Sequence, residues 1–187
     1  MRIISGIARG TKLYTLDGEN TRPTLDRVKE PLFSIIQNYI RGSNVLDLFA
    51  GSGALALETL SRGAKKAVLC DKSYEAMNII RKNIEKTHME EKTQVICMDY
   101  KKCISTVENK FDIIFIDPPY KLDIAIKSVE MILEKDLLSE DGLIVIETDD
   151  ETRELQEIKE LNYNIEVIDK RTYGRVKLIF LKKEKRG

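Results

Sequence analysis

Histidine is nearly absent from this 187-residue chain. His88 stands alone, so a zinc site or a histidine-based acid–base centre has almost nothing to be built from. Tryptophan is missing, and the three cysteines (Cys70, Cys97, Cys103) show no CxxC spacing. They read as reduced thiols in or near a core, without disulfide or metal roles. No apolar run approaches the roughly 20 residues a membrane helix needs. The opening Met-Arg-Ile-Ile-Ser-Gly lacks the profile of a secretory signal. Net charge is also lacking, with 31 basic and 31 acidic side chains. What remains, 42% apolar and 33% charged residues, suits a soluble cytoplasmic protein with a substantial core.

The zero balance hides an uneven distribution. Lys170 to Gly187 carries eight basic residues against Glu184, a net +7. Arg2, Arg9, Lys12, Arg22, Arg27 and Lys29 add positive charge near the start, whereas Glu140 to Glu157 is mostly acidic. That asymmetry is compatible with a basic face for phosphates, or with a solvated tail and ordinary surface charge.

Hydrophobic patterning alternates strand and helix. Strands are expected at Asn44–Ala50, Ala67–Asp71, Thr93–Asp99, Phe111–Asp117 and Leu143–Thr148, the last entered through Gly142. Helices fall between them: about Ser52 to Arg62 with Gly63 closing it, Ser73 to about Lys86, a short one after Asp99, Ile124–Lys135, and Glu151–Leu161. Two strand-like runs, Asn164–Arg171 and Arg175–Lys182, close the chain as a hairpin. Repeated βα units predict a doubly wound, mostly parallel α/β sheet, with the hairpin adding an antiparallel strand at one side. The first 41 residues break that rhythm and read as an extension of the 42–187 domain. Arg2–Leu16 suggests a small hairpin, and a helical stripe starts at Thr24. Pro31 should kink that helix or force it to begin near Glu30.

Two constellations carry chemistry. Asp117-Pro118-Pro119-Tyr120 follows the apolar run Phe111–Ile116. Paired prolines stiffen the chain and leave carbonyls as acceptors. Asp117 and the Pro118 carbonyl can together accept both hydrogens of an amino group, and Tyr120 can stack on its ring. Such a turn presents the exocyclic amine of a planar base to an electrophile. Upstream, Asp47-Leu48-Phe49-Ala50-Gly51-Ser52-Gly53 links a strand to a helix, with Gly51, Gly53 and Ala56 also satisfying GxGxxG/A. Asp47, Asp71, Asp99 and Asp117 each end a strand in order. Asp71 suits ribose hydroxyls and Asp99 an adenine amino group, though a strand-end Asp is commonly just a helix cap. A dinucleotide and S-adenosylmethionine both fit. A dehydrogenase would need a proton donor and a further substrate domain for which little chain remains, and a sulfonium methyl is the electrophile an amine-presenting turn requires.

These motifs resemble class I S-adenosylmethionine-dependent methyltransferases. More narrowly, the chain is similar to the bacterial RsmD-type family of 16S ribosomal RNA guanine-N2 methyltransferases. The likeness rests on Met1–Gly6, Arg9-Gly10, Arg22-Pro23-Thr24, Asp26–Glu30, Leu46–Leu55, Asp117–Tyr120 and Tyr173-Gly174, and spans essentially the whole chain. Leu25 and Pro31 depart from the family pattern.

The resemblance implies a Rossmann-like, seven-stranded sheet. It implies cofactor contacts from Asp47, Phe49, Ala50, Gly51, Ser52, Gly53, Asp71, Lys72, Asp99, Tyr100 and Asp117, and catalysis by Asp117, Pro118 and Tyr120. The substrate it implies is 16S rRNA in the 30S subunit or an assembly intermediate, contacted by Arg2, Arg9, Lys12, Arg22, Thr24 and Arg27. It implies a monomer acting without metal or membrane. Arg22 and Arg27 could instead pair with core acids. The same turn serves adenine N6 or protein glutamine, and a silent RNA-binding assembly factor on this fold is a further alternative.

Overall fold

The computed structural model describes residues 1–16, 24–119 and 124–184, with the side chains of residues 24–26 excepted. Seven strands form one sheet: β1 (Asn44–Asp47), β2 (Lys66–Asp71), β3 (Thr93–Cys97), β4 (Phe111–Ile116), β5 (Leu138–Thr148), β6 (Ile165–Tyr173) and β7 (Val176–Lys183). Their order is β3-β2-β1-β4-β5-β7-β6. The first five strands pair in parallel; β7 runs antiparallel to both β5 and β6. The sheet is therefore doubly wound and mostly parallel, as the pattern predicts. The final strand inserts between β5 and β6 and leaves β6 at the edge.

Alternation along the strands divides the apolar side chains between two faces. On one, Val45, Leu69, Ile113, Phe115, Leu143 and Val145 meet α1 (Thr24–Ile40), α2 (Ala54–Ser61) and α3 (Tyr74–Thr87). On the other, Leu46, Val68, Ile114, Ile116, Ile144 and Ile146 meet α4 (Tyr100–Thr106), α5 (Ala125–Glu134) and α6 (Glu151–Glu160). Near-continuous apolar strands follow from this two-sided burial. Ser73 caps α3 by accepting the Ala76 N–H, and Gly63 (φ +109°) follows the end of α2.

Two expectations need correction. Of the two outcomes expected from Pro31, a helix start near Glu30 is not found: α1 runs from Thr24 to Ile40 with Pro31 inside it. Proline inside a helix costs about 3 kcal/mol, but Val28, Leu32, Phe33, Ile36 and Ile40 are buried on both sides of it. Each such side chain contributes about 1.5–3 kcal/mol, which outweighs the penalty. Strand β5 begins at Leu138, not at Gly142. Phe111 pairs with Leu138, the register shifts, and a Cβ on Gly142 would lie 2.9 Å from the Ser139 carbonyl oxygen and 3.1 Å from that of Phe111. Glycine thus permits the irregular entry instead of starting the strand.

The N-terminal segment turns back on itself through an antiparallel bridge between Arg2 and Lys12. Ile3 and Leu13 belong to the same buried cluster as α1 and the sheet. Its turn is locked onto α2: the Ile7 N–H donates to the Ser61 carbonyl at 2.9 Å and the Ala8 N–H to Ser61 Oγ at 3.0 Å. A Cβ on Gly6 would sit 1.8 Å from the Ser61 carbonyl oxygen, so only glycine fits there.

Candidate active site

The carboxyl ends of β1, β2, β4 and β5 border a cavity of about 670 Å³, of a size for a nucleoside-like ligand. Beyond β1 the chain stays tied to its neighbours, with the Leu48 N–H bonded to the Phe115 carbonyl and the Ala50 N–H to that of Cys70. It then turns at Gly51 (φ +54°) and Gly53 (φ +80°) into α2. A Cβ on Gly53 would meet Leu69 Cδ2 at 3.0 Å. Gly53 therefore shapes the loop without lining the cavity, whereas Asp47, Phe49, Ala50, Gly51, Ser52, Asp71, Lys72, Asp99, Tyr100 and Asp117 all line it.

Asp71 is braced, Oδ2 accepting the Gly51 N–H and Oδ1 the Ser73 N–H, each at 2.9 Å. Each oxygen keeps a second lone pair for a hydroxyl. Asp99 lies beyond the end of β3 and caps α4 by accepting the Lys101 N–H at 2.9 Å. It is a helix cap as well as a cavity residue. The Phe49 and Tyr100 rings, 5.5 Å apart, form an aromatic wall. The Tyr100 hydroxyl is buried with no hydrogen-bond partner among the described residues. A paired-acceptor carboxylate, an aromatic wall and an unsatisfied hydroxyl together fit an adenosyl group. Asp47 is almost fully buried, and that burial pushes its carboxyl up to about 7. The Ala56 N–H opposes the shift, and the Asp71 charge adds to it.

The other half of the cavity is built by Asp117, Pro118, Pro119 and Ile124 after β4, Glu147 near the end of β5, and Met1, Leu16, Val28, Lys29 and Leu32 of the N-terminal segment. Tyr120 and Arg22 lie outside the described residues, as does the Thr24 side chain.

Several cavity and support residues escape sequence reasoning. Lys29 is 1% exposed. Its ammonium pairs with Glu58 Oε2 at 3.1 Å and donates to the Arg2 carbonyl at 2.8 Å. Glu58, with no exposure, also accepts the Ile4 N–H (2.8 Å), the Ser5 N–H (3.0 Å) and Arg62 Nε (2.8 Å). Burial pushes the Glu58 carboxyl up, but Lys29, the Ile4 amide and Arg62 outweigh it and hold it below its ordinary value. Buried Asn83 bridges the Tyr14 backbone and the Ser52 carbonyl, tying the N-terminal segment to the glycine loop. The available signals were weak: Glu58 interrupts the apolar run of α2, and Lys29 falls at stripe spacing beside Leu32 and Phe33.

The basic residues divide. Arg2, Arg9, Lys12 and Arg27 are exposed and form no ion pair among the described residues. Near them, Lys86 lies over the half-exposed Tyr14 ring at 4.5 Å, and Ile7 is exposed. Among the described residues, then, Arg27 has no core acid partner. The C-terminal excess is partly cancelled: Lys170 pairs with Glu151, Arg171 with Asp169 and Lys183 with Asp136, each at 2.9 Å. Lys182 rests over the Tyr39 ring. Among the described residues of this run, Lys170 and Lys183 meet acids brought from distant segments and Arg171 meets a near neighbour.

Comparisons with known proteins bear on the family and the fold. A family model described as "Conserved hypothetical protein 95" matches residues 1–182. The "Putative rRNA methyltransferase YlbH" of Bacillus subtilis is 37% identical over 186 residues, covering 98% of this chain and 99% of that protein. "Ribosomal RNA small subunit methyltransferase D" of Haemophilus influenzae is 38% identical over 152 residues, covering 80% and 79%. A solved structure of the "Putative methyltransferase yhhF" of Escherichia coli superposes with a TM-score of 0.85 at 29% identity, covering 98% of each chain. With a family model matched along nearly its full length and such relatives beside it, the chain belongs to the RsmD-type family of class I methyltransferases.

Proposed function

We propose that this protein transfers a methyl group from S-adenosylmethionine to the exocyclic N2 of a guanine in small-subunit ribosomal RNA. The observation that carries this is one cavity holding both a nucleoside-shaped half, built on Asp71 and the Phe49–Tyr100 wall, and the amine-presenting turn at Asp117 and Pro118. The RNA substrate and guanine rest on membership of the RsmD-type family and on the relatives' names.

The cofactor supplies an electrophilic methyl on a sulfonium and leaves as a neutral thioether. Asp71 would hold the ribose hydroxyls, the aromatic wall the adenine, and Asp47 would face the ammonium of the methionine end. Asp117 and the Pro118 carbonyl would accept the two N2 hydrogens and turn the nitrogen lone pair out of the ring plane. Asp117 or water takes the proton the amine loses once the new N–C bond forms. Stacking of the extruded base on Tyr120, worth about 1–3 kcal/mol, would offset much of the cost of flipping. Holding the reactants in line can supply roughly 7–11 kcal/mol of the acceleration. Arg2, Arg9, Lys12 and Arg27 would contact RNA phosphates, with Arg22 and Thr24 completing that surface.

Asp117→Ala tests the core of the reading. Turnover on small subunits should fall on the order of 10²–10³-fold, while calorimetry shows S-adenosylmethionine binding retained. Normal turnover in the variant would remove the proposed role of the turn.

A further inference from the structure

Tyr14 keeps 49% of its surface in water, and the mechanism above does not use it. A lone exposed ring on a loose loop means little, but this one is fixed at its backbone. Asn83 of α3, itself without exposure, accepts the Tyr14 N–H through Oδ1 at 2.7 Å and donates from Nδ2 to the Tyr14 carbonyl at 2.9 Å. The same Nδ2 donates to the Ser52 carbonyl of the glycine loop at 2.9 Å. On one side of Tyr14 the Leu13 N–H bonds the Met1 carbonyl, and on the other comes Leu16; Met1 and Leu16 both line the cavity. Tyr14 therefore stands next to the cavity, on the side built by the N-terminal segment.

Its surroundings are cationic. Lys86, three positions after Asn83 on α3, holds its ammonium 4.5 Å from the centre of the Tyr14 ring. Backbone bonds from Ile3 to Thr11 and from Leu13 to Met1 flank the Arg2–Lys12 bridge, which sets those two side chains on one face of the hairpin. Burial alternates along it: Ile3 and Leu13 are buried, while Arg2, Lys12 and Tyr14 are exposed. Arg2, Lys12 and Lys86 form no ion pair among the described residues. A fixed aromatic ring with cations at hand matches a nucleotide, whose base stacks on the ring while its phosphates meet the cations. A base paired in a duplex has no face to offer, so the nucleotide must be unpaired. We propose that Tyr14 and Lys86 form a platform outside the catalytic cavity, on which an unpaired base flanking the target in the RNA stacks. This rests on the RNA methyltransferase reading above and deepens it with a second nucleotide site. The platform holds the strand before and during transfer alike, so it acts on substrate binding and not on the chemical step.

The chain contains no tryptophan, so Tyr14→Trp puts a single indole reporter at the platform. At low salt a single-stranded oligoribonucleotide should quench its emission, because a stacked base touches the indole. Inorganic polyphosphate, which carries phosphates without bases, should leave the emission unchanged. On small subunits from a strain lacking the modification, Tyr14→Ala should raise KM on the order of tenfold with kcat close to wild type. Tyr14→Phe, which keeps the ring, should restore the wild-type KM, a rescue that lost phosphate contacts would not produce. Melting temperature and S-adenosylmethionine affinity by calorimetry should match wild type in all three variants. A wild-type KM in Tyr14→Ala, no quenching by the oligoribonucleotide, or equal quenching by polyphosphate overturns the platform and leaves the methyltransferase reading standing. Failure of the wild-type enzyme to methylate ribosomal RNA defeats that reading, and this inference with it. If Tyr14→Ala does not fold, the emission of the reporter variant decides alone.

Discussion

Glu58 is the hub that fastens the N-terminal segment to the domain, and its removal should cost far more than removal of its cationic partner. Glu58→Ala strips acceptors from four donors at once: Lys29 Nζ, the Ile4 and Ser5 amides and Arg62 Nε. It leaves the Lys29 ammonium buried without its carboxylate, a loss worth about 3–5 kcal/mol. Lys29→Met is milder, because Glu58 keeps two backbone amides and a guanidinium. We expect about 1–2 kcal/mol for it. In a chain of this length, 3–5 kcal/mol corresponds to a drop in Tm of about 10 °C. Urea melts of both variants and the double variant would measure the difference, and the two costs should fall short of additivity by at least about 1 kcal/mol. The depressed Glu58 carboxyl adds a pH signature. Its contribution is present above the ordinary value of 4.5 and is lost as pH falls through the lower folded value. The wild type should therefore lose this increment in acid, and Glu58→Ala should not. A Lys29→Met variant as destabilised as Glu58→Ala would refute the assignment of the hub.

Asp47 behaves in the opposite sense. With its carboxyl raised from 3.8 to about 7, it contributes stability below about pH 4 that is lost as pH rises to about 7. The difference is on the order of 4 kcal/mol. Asp47→Asn should remove this slope, so that wild type and variant diverge in urea melts between pH 5 and pH 8, with the variant more stable at the alkaline end. Parallel curves would contradict the buried-acid assignment. On the RNA side, Arg9→Gln should flatten the salt dependence of RNA affinity by about 0.7–0.9 in log–log slope and leave Tm unchanged. An unchanged slope removes Arg9 from the RNA surface.

Much of the architecture is legible in local pattern. Several βα units announce themselves through an apolar run and a capping residue, as with Lys66–Asp71 followed by Ser73. The glycine loop and the Asp117 turn can be placed because strand ends carry them to one edge. Local pattern does not reveal partners distant in sequence. Glu58 meets Ile4 across 54 positions and Asn83 meets Tyr14 across 69, so neither bond leaves a trace in spacing. Charge along the chain misleads for the same reason: Lys183 reads as part of a basic tail until the fold sets Asp136 beside it. Pro31 misleads because a local helix penalty is small against the burial of Leu32, Phe33 and Ile36. Glu147 is hidden by its strand, since an acid next to last in LIVIET reads as the edge of a core segment.

The central claim is that one cavity sets a methyl donor against a guanine amine held by Asp117. Its most direct test incubates the purified protein and isotope-labelled S-adenosylmethionine with small ribosomal subunits from a strain lacking the enzyme, then maps the labelled nucleoside by mass spectrometry. The account predicts label in N2-methylguanosine at a single position of the small-subunit RNA, and none with Asp117→Ala. Label on adenine, on protein or nowhere would contradict it.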